Sequence, residues 1–436
     1  MGEENKVNKK LWYLVPCFLL FILVSRSAGQ ENQTDFYLRG ALYFDWFGAK
    51  YEGSDFFHQL STRLKLEMVN RRGEGWTFLL DTRDRLKLSE KRGNRVILYD
   101  ARILFDKQGS PLFLSLGQMN LYDTAGIGQL LGGVVGYKIG RDLLLGGYGG
   151  LESSIYVNHL ENNYQKYGVF ARYQGNYGRR FSLSYNQLRY SGSTERQYIY
   201  AGTMFPFVKT LTFYGNLEYE LASNVRSEDR LSRAFANVRW DPSRTVDMTA
   251  FYSSGRGLDY HRYILERSQD PTLNDTELER FYYSSQYGLR LSVKPIRSLR
   301  LYISRMESEQ KDLEIRNHTW RFGGSAGDIL KSGVTLYGNY AWNRGEMSES
   351  DSYYVALSKD FGKVSWHGSF SNTFNGVRYD NRNETPQVIR LNDYKTFTTQ
   401  FFIPITRIIA ASLEYEYFLQ EESNQHLFFV RLILRN

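Results

Sequence analysis

The chain has almost no cysteine, and this scarcity excludes several kinds of site. Cys17 is the only cysteine among the 436 residues. It lies in an apolar segment near the amino terminus that we expect to be removed from the mature protein. Without thiols, the mature chain can form neither disulfides nor cysteine-ligated zinc or iron–sulfur sites. Because Cys-x-x-Cys-His is absent, it also attaches no covalent haem.

Long apolar runs are also missing beyond the amino terminus. Residues 11–24 are apolar, but no later run reaches the roughly 18 residues that mark a membrane-spanning helix. The mean hydropathy is −0.48. These values exclude a bundle of membrane helices. They do not exclude a transmembrane barrel, because barrel strands alternate apolar and polar side chains and contain no continuous apolar run.

The amino terminus has the composition of a secretory signal peptide. Lys6, Lys9 and Lys10 precede the apolar residues 11–24, and small residues follow up to Gly29. An apolar segment this short favours a cleaved signal over a retained span of ~20 residues. We therefore predict a signal peptide at 1–29 and a single barrel domain at 30–436.

Motifs for catalysis, metal binding and nucleic-acid binding are absent as well. Six histidines are scattered without metal-ligand spacing, and neither His-Glu-x-x-His nor Gly-x-Ser-x-Gly occurs. The formal charge of +8 arises from basic residues interspersed with acidic and apolar ones, without the basic patch of a nucleic-acid protein. We predict no enzyme activity, no catalytic residue, no metal, no cofactor and no nucleic-acid partner.

The sequence does contain a persistent two-residue alternation. In residues 58–68, even positions from Leu60 to Met68 are mostly apolar, whereas odd positions from Gln59 to Glu67 are polar. A period of two places the two sets on opposite faces of a β-strand. The same pattern recurs from about residue 36 to the end. One example has Ile97, Tyr99, Ala101, Ile103 and Phe105 opposite Asp100 and Arg102.

Turn residues divide the alternating segments into a regular series. Ten short connections, such as Pro206–Lys209, alternate with eleven longer polar ones, including 191–195, 255–280, 343–351 and 375–393. This order predicts an all-β, antiparallel, up-and-down transmembrane β-barrel of about 22 strands, within a range of 20–24. Short periplasmic turns then lie at one rim and longer extracellular loops at the other. An even strand count places both ends of the barrel on the short-turn side.

These features resemble those of bacterial outer-membrane β-barrel proteins of the porin-like kind. The resemblance rests on the signal peptide, the alternation, the aromatic strand ends and the last strand, which begins Leu427-Phe-Phe-Val-Arg-Leu. With 34 Tyr, 28 Phe and 7 Trp, the chain has the aromatic content that such barrels place at the membrane interfaces. The resemblance implies the outer membrane of a Gram-negative cell, reached by cleavage of the signal peptide, and contact with its lipid.

If the apolar set faces lipid, the opposite set lines the lumen. The predicted basic lumen residues are Arg39, Arg63, Lys65, Arg83, Arg102, Lys166, Arg172, Arg233, Arg239, Arg290, Arg300, Arg321 and Arg431. The predicted acidic ones are Asp45, Glu67, Asp81, Asp100, Glu218, Asp247, Glu414 and Glu416. The excess of basic residues indicates a mild preference for anions, unless these charges simply pair across strands.

Residues 117–150 are rich in glycine, without the Gly-x-Gly-x-x-Gly spacing and helix of a dinucleotide site. Glycines in strands usually mark sharp bends or close backbone approach, so one interpretation is local curvature. A second interpretation is that residues 119–130 fold inward as a constriction.

The main functional prediction is a channel that lets small hydrophilic solutes cross the outer membrane passively. A 22-stranded barrel is wide, which leaves a second interpretation open. The barrel could surround a periplasmic or extracellular partner, such as the multihaem cytochrome of a porin–cytochrome conduit. A second copy of the chain, as in a homo-oligomer, is the other partner considered. An outer-membrane barrel enzyme is the remaining alternative function.

Overall fold

The computed structural model describes most of the chain from residue 36 onward. The described residues are 36–70, 75–87, 95–121, 128–151, 164–190, 192–223, 230–258, 281–310, 315–346, 348–379, 387–420 and 424–435. The predicted signal peptide lies outside them. In the part of the chain that is described, no helix is long and apolar enough to cross a membrane.

Twenty-two strands account for nearly all of the described chain. The first eleven are β1 Phe36–Tyr51, β2 Phe57–Asn70, β3 Gly75–Lys87, β4 Arg95–Asp106, β5 Leu112–Asn120, β6 Gln129–Ile139, β7 Leu143–Leu151, β8 Tyr164–Gln174, β9 Arg180–Tyr190, β10 Ser193–Val208 and β11 Leu211–Ser223. The others are β12 Leu231–Trp240, β13 Val246–Leu258, β14 Phe281–Ile296, β15 Leu299–Gln310, β16 Ile315–Ala326, β17 Val334–Gly345, β18 Ser348–Asp360, β19 Ser365–Tyr379, β20 Gln387–Pro404, β21 Ile409–Gln420 and β22 Asn424–Arg435. Short 3-10 turns occupy Asn176–Gly178 and Ile329–Lys331.

The sheet closes on itself. Each strand pairs antiparallel with the next, and β1 pairs with β2 along one edge and with β22 along the other. Leu42, for example, lies opposite Leu64 of β2 and Leu434 of β22. The structure is therefore a closed antiparallel barrel of 22 strands, and the predicted fold class and strand number are confirmed.

The two rims differ in the length of their connections. At the rim that holds the start of β1 and the end of β22, β10 and β11 are joined by two residues, as are β14 and β15. We call this the short-turn rim. At the opposite rim several strands run further than the sequence indicated. Most of the predicted loop 343–351 is paired strand, because β17 continues to Gly345 and β18 begins at Ser348.

The register sorts the side chains into two faces. Leu66 lies opposite Leu80, whereas Lys65 lies opposite Asp81, and the same alternation can be followed from strand to strand around the sheet. We name these the apolar face and the charged face. The apolar face carries large exposed side chains on many strands, including Trp76, Val135, Leu217, Leu289 and Val355.

One strand departs from the predicted alternation. A bulge interrupts the register between β3 and β4, where Asp81 pairs with Asp100 but Thr82 pairs with Leu98. Ile97 and Tyr99 were expected on the apolar face, and that prediction is wrong. Ile97 lies opposite Arg83, and the Tyr99 ring lies 4.8 Å from the Arg63 guanidinium. The bulge inserts one extra residue, so the phase of the alternation shifts by one.

The glycine-rich strands reveal which face is concave. A Cβ added on the charged face at Gly132 or Gly168 would lie 2.1 Å from a backbone oxygen of the neighbouring strand. On the apolar face of β7, which lies between those two strands, a Cβ at Gly147 would find nothing closer than 3.5 Å. The sheet therefore bends sharply toward its charged face here. Local curvature was one of the two predictions for this region.

Side chains pack together inside this bend. Phe113, Val134, Tyr148 and Phe170 come from four successive strands and are at most 9% exposed. They form one cluster with Met119, Leu121, Leu130 and Leu144. The cluster holds the bend on its inner side. The Leu121 amide donates to the Gly128 carbonyl oxygen, but half of the proposed constriction at 119–130, residues 122–127, lies outside the described residues.

The bend gives a testable difference between two neighbouring glycines. Gly132→Ala should lower the free energy of unfolding by about 1–3 kcal/mol, because its methyl group overlaps a strand backbone that cannot move freely. Gly147→Ala should change it by less than about 0.5 kcal/mol. Urea unfolding in detergent, followed by tryptophan fluorescence, measures both. Equal losses would contradict the direction of the bend.

Candidate functional site: the charged face

The candidate site is the charged face, and every residue predicted to line the lumen lies on a strand. These are Arg39 and Asp45 on β1; Arg63, Lys65 and Glu67 on β2; Asp81 and Arg83 on β3; Asp100 and Arg102 on β4; Lys166 and Arg172 on β8; Glu218 on β11; Arg233 and Arg239 on β12; Asp247 on β13; Arg290 on β14; Arg300 on β15; Arg321 on β16; Glu414 and Glu416 on β21; and Arg431 on β22.

Strands β22 to β3 bring six of these residues together across the point of closure. Arg431 donates to Asp45 at 2.6 Å, and Arg83 approaches the same carboxylate at 3.4 Å. Arg63 holds both oxygens of Asp81 at 2.7 Å, with Lys65 at 3.6 Å. These pairs link the first and last strands through side chains as well as through the backbone.

Two further pairs flank this group. Arg39 donates to Glu67 at 2.5 Å, near the short-turn rim. Arg102 lies 3.2 Å from Asp100 on its own strand. Such partly exposed pairs neutralise the charge of the wall locally and contribute little to stability.

Arg196 forms the most enclosed ion cluster, and the sequence analysis missed it. Its guanidinium contacts Glu220 at 2.9 Å, Glu218 at 3.1 Å and the Ser232 hydroxyl at 2.9 Å. It also lies 4.2 Å from the Tyr198 ring. The cluster thus joins β10, β11 and β12 at a place where the register of all three shifts.

A signal for Arg196 was present in the sequence. Residues 191–195 were assigned to a loop, but β10 already begins at Ser193. Counting back in steps of two from Tyr200 reaches Tyr198 and then Arg196 on the same face. The bulges between β10 and its neighbours interrupt the pattern at this point and make it hard to recognise.

Strands β13 to β16 carry a second basic group with a different character. Arg300 is paired with both oxygens of Asp247 at 2.9 Å. Arg290 lies with its guanidinium 3.9 Å from the Tyr302 ring, and the Tyr302 hydroxyl is 3.1 Å from that of Tyr337. Arg290 and Arg321 both lie opposite Ser304, so their Cα atoms are two strand spacings apart, about 10 Å.

Several charges on this face have no ionic partner among the described residues. Neither Arg290 nor Arg321 has an acidic group within 4 Å there, and the same holds for Arg172 and Arg233. Glu414 and Glu416 of β21 likewise have no basic group within 4 Å in the described chain. Arg239, at the rim, is paired with Asp241 at 3.1 Å. The face therefore combines neutralised pairs with a few charges that have no ionic partner among the described residues.

The described residues contain no group of three or more His, Cys, Asp or Glu side chains arranged to hold a metal ion. The absence of a metal, a cofactor and an enzyme activity stays a prediction.

Comparisons with known proteins find similar barrels. OpdK of Pseudomonas aeruginosa, solved with vanillate, has 10% sequence identity and a TM-score of 0.47, covering 92% of this chain and 98% of that chain. OccAB4 of Acinetobacter baumannii has 10% sequence identity and a TM-score of 0.44, and the match covers 93% of this chain and 100% of that chain. OccD3 (OpdP) of Pseudomonas aeruginosa has 10% sequence identity and a TM-score of 0.44, and the match covers 91% of each chain.

No protein-family model matches the sequence, and no curated protein matches it significantly. At the identities and TM-scores of the similar barrels, the likeness carries neither a family nor a substrate over to this chain.

The Arg196 cluster supports a prediction about stability. Arg196→Met should lower the free energy of unfolding by about 1.5–3 kcal/mol, because Glu218 and Glu220 lose their shared partner and repel each other. Arg233→Met, a control on β12 with an exposed side chain and no acidic group within 4 Å among the described residues, should change it by less than about 0.5 kcal/mol. Urea unfolding of both variants makes the comparison, and equal losses would refute the structural role of the cluster.

Proposed function

We propose that the protein is an outer-membrane channel for small hydrophilic solutes, with a mild preference for anions. The observation that carries this proposal is the division of a closed sheet into an exposed apolar face and a charged face that is concave in the glycine-rich bend. Only a helix or a closed sheet satisfies its backbone hydrogen bonds in a bilayer, and a closed sheet needs an apolar exterior there. The predicted signal peptide would direct the chain across the inner membrane.

The curvature supports the assignment of the charged face to the lumen. The inside of a barrel is its concave side, and the glycines of β6 and β8 meet the neighbouring backbone on the charged face only. The residues predicted to line the lumen would then surround a water-filled passage. Barrels of ~16–18 strands already leave an aqueous channel, so 22 strands provide enough width even with the inner cluster at the bend.

The charges without partners support the anion preference. Among the described residues, Arg172, Arg233, Arg290 and Arg321 lack an ionic partner, against Glu414 and Glu416. Paired groups largely cancel in their effect on a passing ion, whereas isolated ones attract or repel it. Arg290 and Arg321 are also exposed and flank a serine, so they can contact an anion directly.

Reversal potentials across a planar bilayer under a potassium chloride gradient test this selectivity. The unmodified protein should favour chloride over potassium. The double variant Arg290→Gln, Arg321→Gln should shift the reversal potential toward zero, because it removes two of the isolated positive charges.

The double variant Arg300→Gln, Asp247→Asn is the matched control. It removes one positive and one negative charge that neutralise each other, so the reversal potential should stay unchanged. A cation preference in the unmodified protein would contradict the proposed selectivity.

The width of the barrel favours a second candidate, a sheath around a partner protein that fills the lumen. A multihaem cytochrome is the partner that the sequence resemblance suggested. Purification from the native membrane under mild detergent distinguishes the two functions. A complex with haem absorbance supports the sheath, and a colourless protein that conducts ions supports the open channel.

A further inference from the structure

The apolar face carries ionised side chains in one unexpected place. We count steps along each strand from its short-turn end, with the first residue as step zero. From the second to the eighth step of every strand, among the residues that the structure describes, the apolar face holds no Asp, Glu, Lys or Arg except Arg305 and Glu307. Both lie on β15, at steps six and eight. This stretch corresponds to the apolar band of a membrane barrel, so the pair lies within it.

Arg305 and Glu307 bind each other and the aromatic side chains beside them. The Arg305 guanidinium donates to the Glu307 carboxylate, which also accepts a hydrogen bond from the Tyr287 hydroxyl. The guanidinium lies 5.3 Å from the Trp320 ring. The side chains of Arg305 and Glu307 nevertheless stay 53% and 29% exposed. Exposed charge of this kind is unfavourable against hydrocarbon, even as a pair.

The surroundings of the pair have the composition of a protein interface. Nearer the long-loop rim, Arg316 is 3.0 Å from Glu309, and Arg344 is 3.2 Å from Asp351. Trp342, Tyr340 and Tyr353 lie among them on the same face. Arg, Trp and Tyr are the residues most enriched at the energetic centres of protein contacts. We call the outward surface of β14–β18 around Arg305 the Arg305 wall.

The apolar face four strands away, on β11, differs at the same step. Leu217 is at the sixth step of β11, as Arg305 is of β15, and it is 41% exposed. Its neighbours on the apolar face, Ala234 of β12 and Ala201 of β10, are apolar as well. That part of the apolar face suits lipid, in contrast to the Arg305 wall.

We propose that the Arg305 wall binds a second copy of this chain, side by side in the membrane. This inference rests on the proposed membrane barrel. The wall contains Arg305, Arg316 and Arg344 together with Glu307, Glu309, Glu349 and Asp351, so its charges are close to balanced and complement themselves. A two-fold axis along the membrane normal sets the same strands of two copies against each other at equal height, which is the arrangement that a self-complementary surface can use.

Site-specific cross-linking tests the contact, and the scarcity of cysteine makes it straightforward. In a Cys17→Ser background, Ile303→Cys places one thiol on β15 beside Arg305, and Leu217→Cys places one on β11, four strands away, as the control. Intact outer membranes are treated with a short bis-maleimide. The Ile303→Cys protein should give a product of twice the mass of the uncross-linked chain, and the control should give none above background.

Adding Arg305→Leu to Ile303→Cys should reduce the cross-linked fraction at least fivefold, because the new surface suits lipid better than protein. Adding Arg305→Lys, which keeps the charge, should restore part of it. No dimer at Ile303→Cys, equal cross-linking at both positions, a product of another mass, or no effect of Arg305→Leu would each overturn the proposed contact.

The same variants are examined for ion conductance in planar bilayers. Conductance without dimers overturns the contact alone, whereas failure to enter membranes would contradict the channel as well.

Discussion

The structure depends on one constraint, the need of every strand to have a hydrogen-bonded neighbour on both sides. A sheet of 22 strands meets it only when β1 pairs with β22, because an open sheet leaves two edges of unpaired amides and carbonyls. Closure in turn separates an inner face from an outer one. The ion pairs among Arg431, Asp45 and Arg83 cross the point where the chain's two ends meet, so side chains reinforce the contact that closes the barrel.

Much of this architecture could be predicted from the sequence, because the two-residue alternation is local. Strand number, antiparallel order and the division into faces follow from counting alternating segments and turns. Bulges could not be predicted, since they depend on how neighbouring strands pair. Tyr99 and Arg196 illustrate this limit, because an extra residue in one strand shifts the faces without changing composition. The extent of β17 and β18 was underestimated because polar residues continue to pair above the apolar region.

The pairing state of each charge was also beyond sequence reasoning. Periodicity assigns Asp247 and Arg290 to the same face, but only the register shows that Arg300 neutralises Asp247 while Arg290 stacks on Tyr302. The same face therefore contains neutral regions, near β1–β3, and a region with free arginines at β14–β16. The concave bend at the glycine-rich strands adds a third region, which is apolar and buried. The chemistry of the charged face therefore varies from strand to strand around the barrel, and the amino-acid composition alone does not show this variation.

The account rests on water contacting the charged face and lipid contacting the apolar one, and a cysteine scan of β11 tests this most directly. Single cysteines at residues 216 to 221, in a Cys17→Ser background, are exposed to a charged, membrane-impermeant thiol reagent while current is recorded across a planar bilayer. The account predicts modification and altered current at Asn216, Glu218 and Glu220, with little effect at Leu217, Tyr219 and Leu221. Equal reactivity at all six positions, or the reverse alternation, would contradict it.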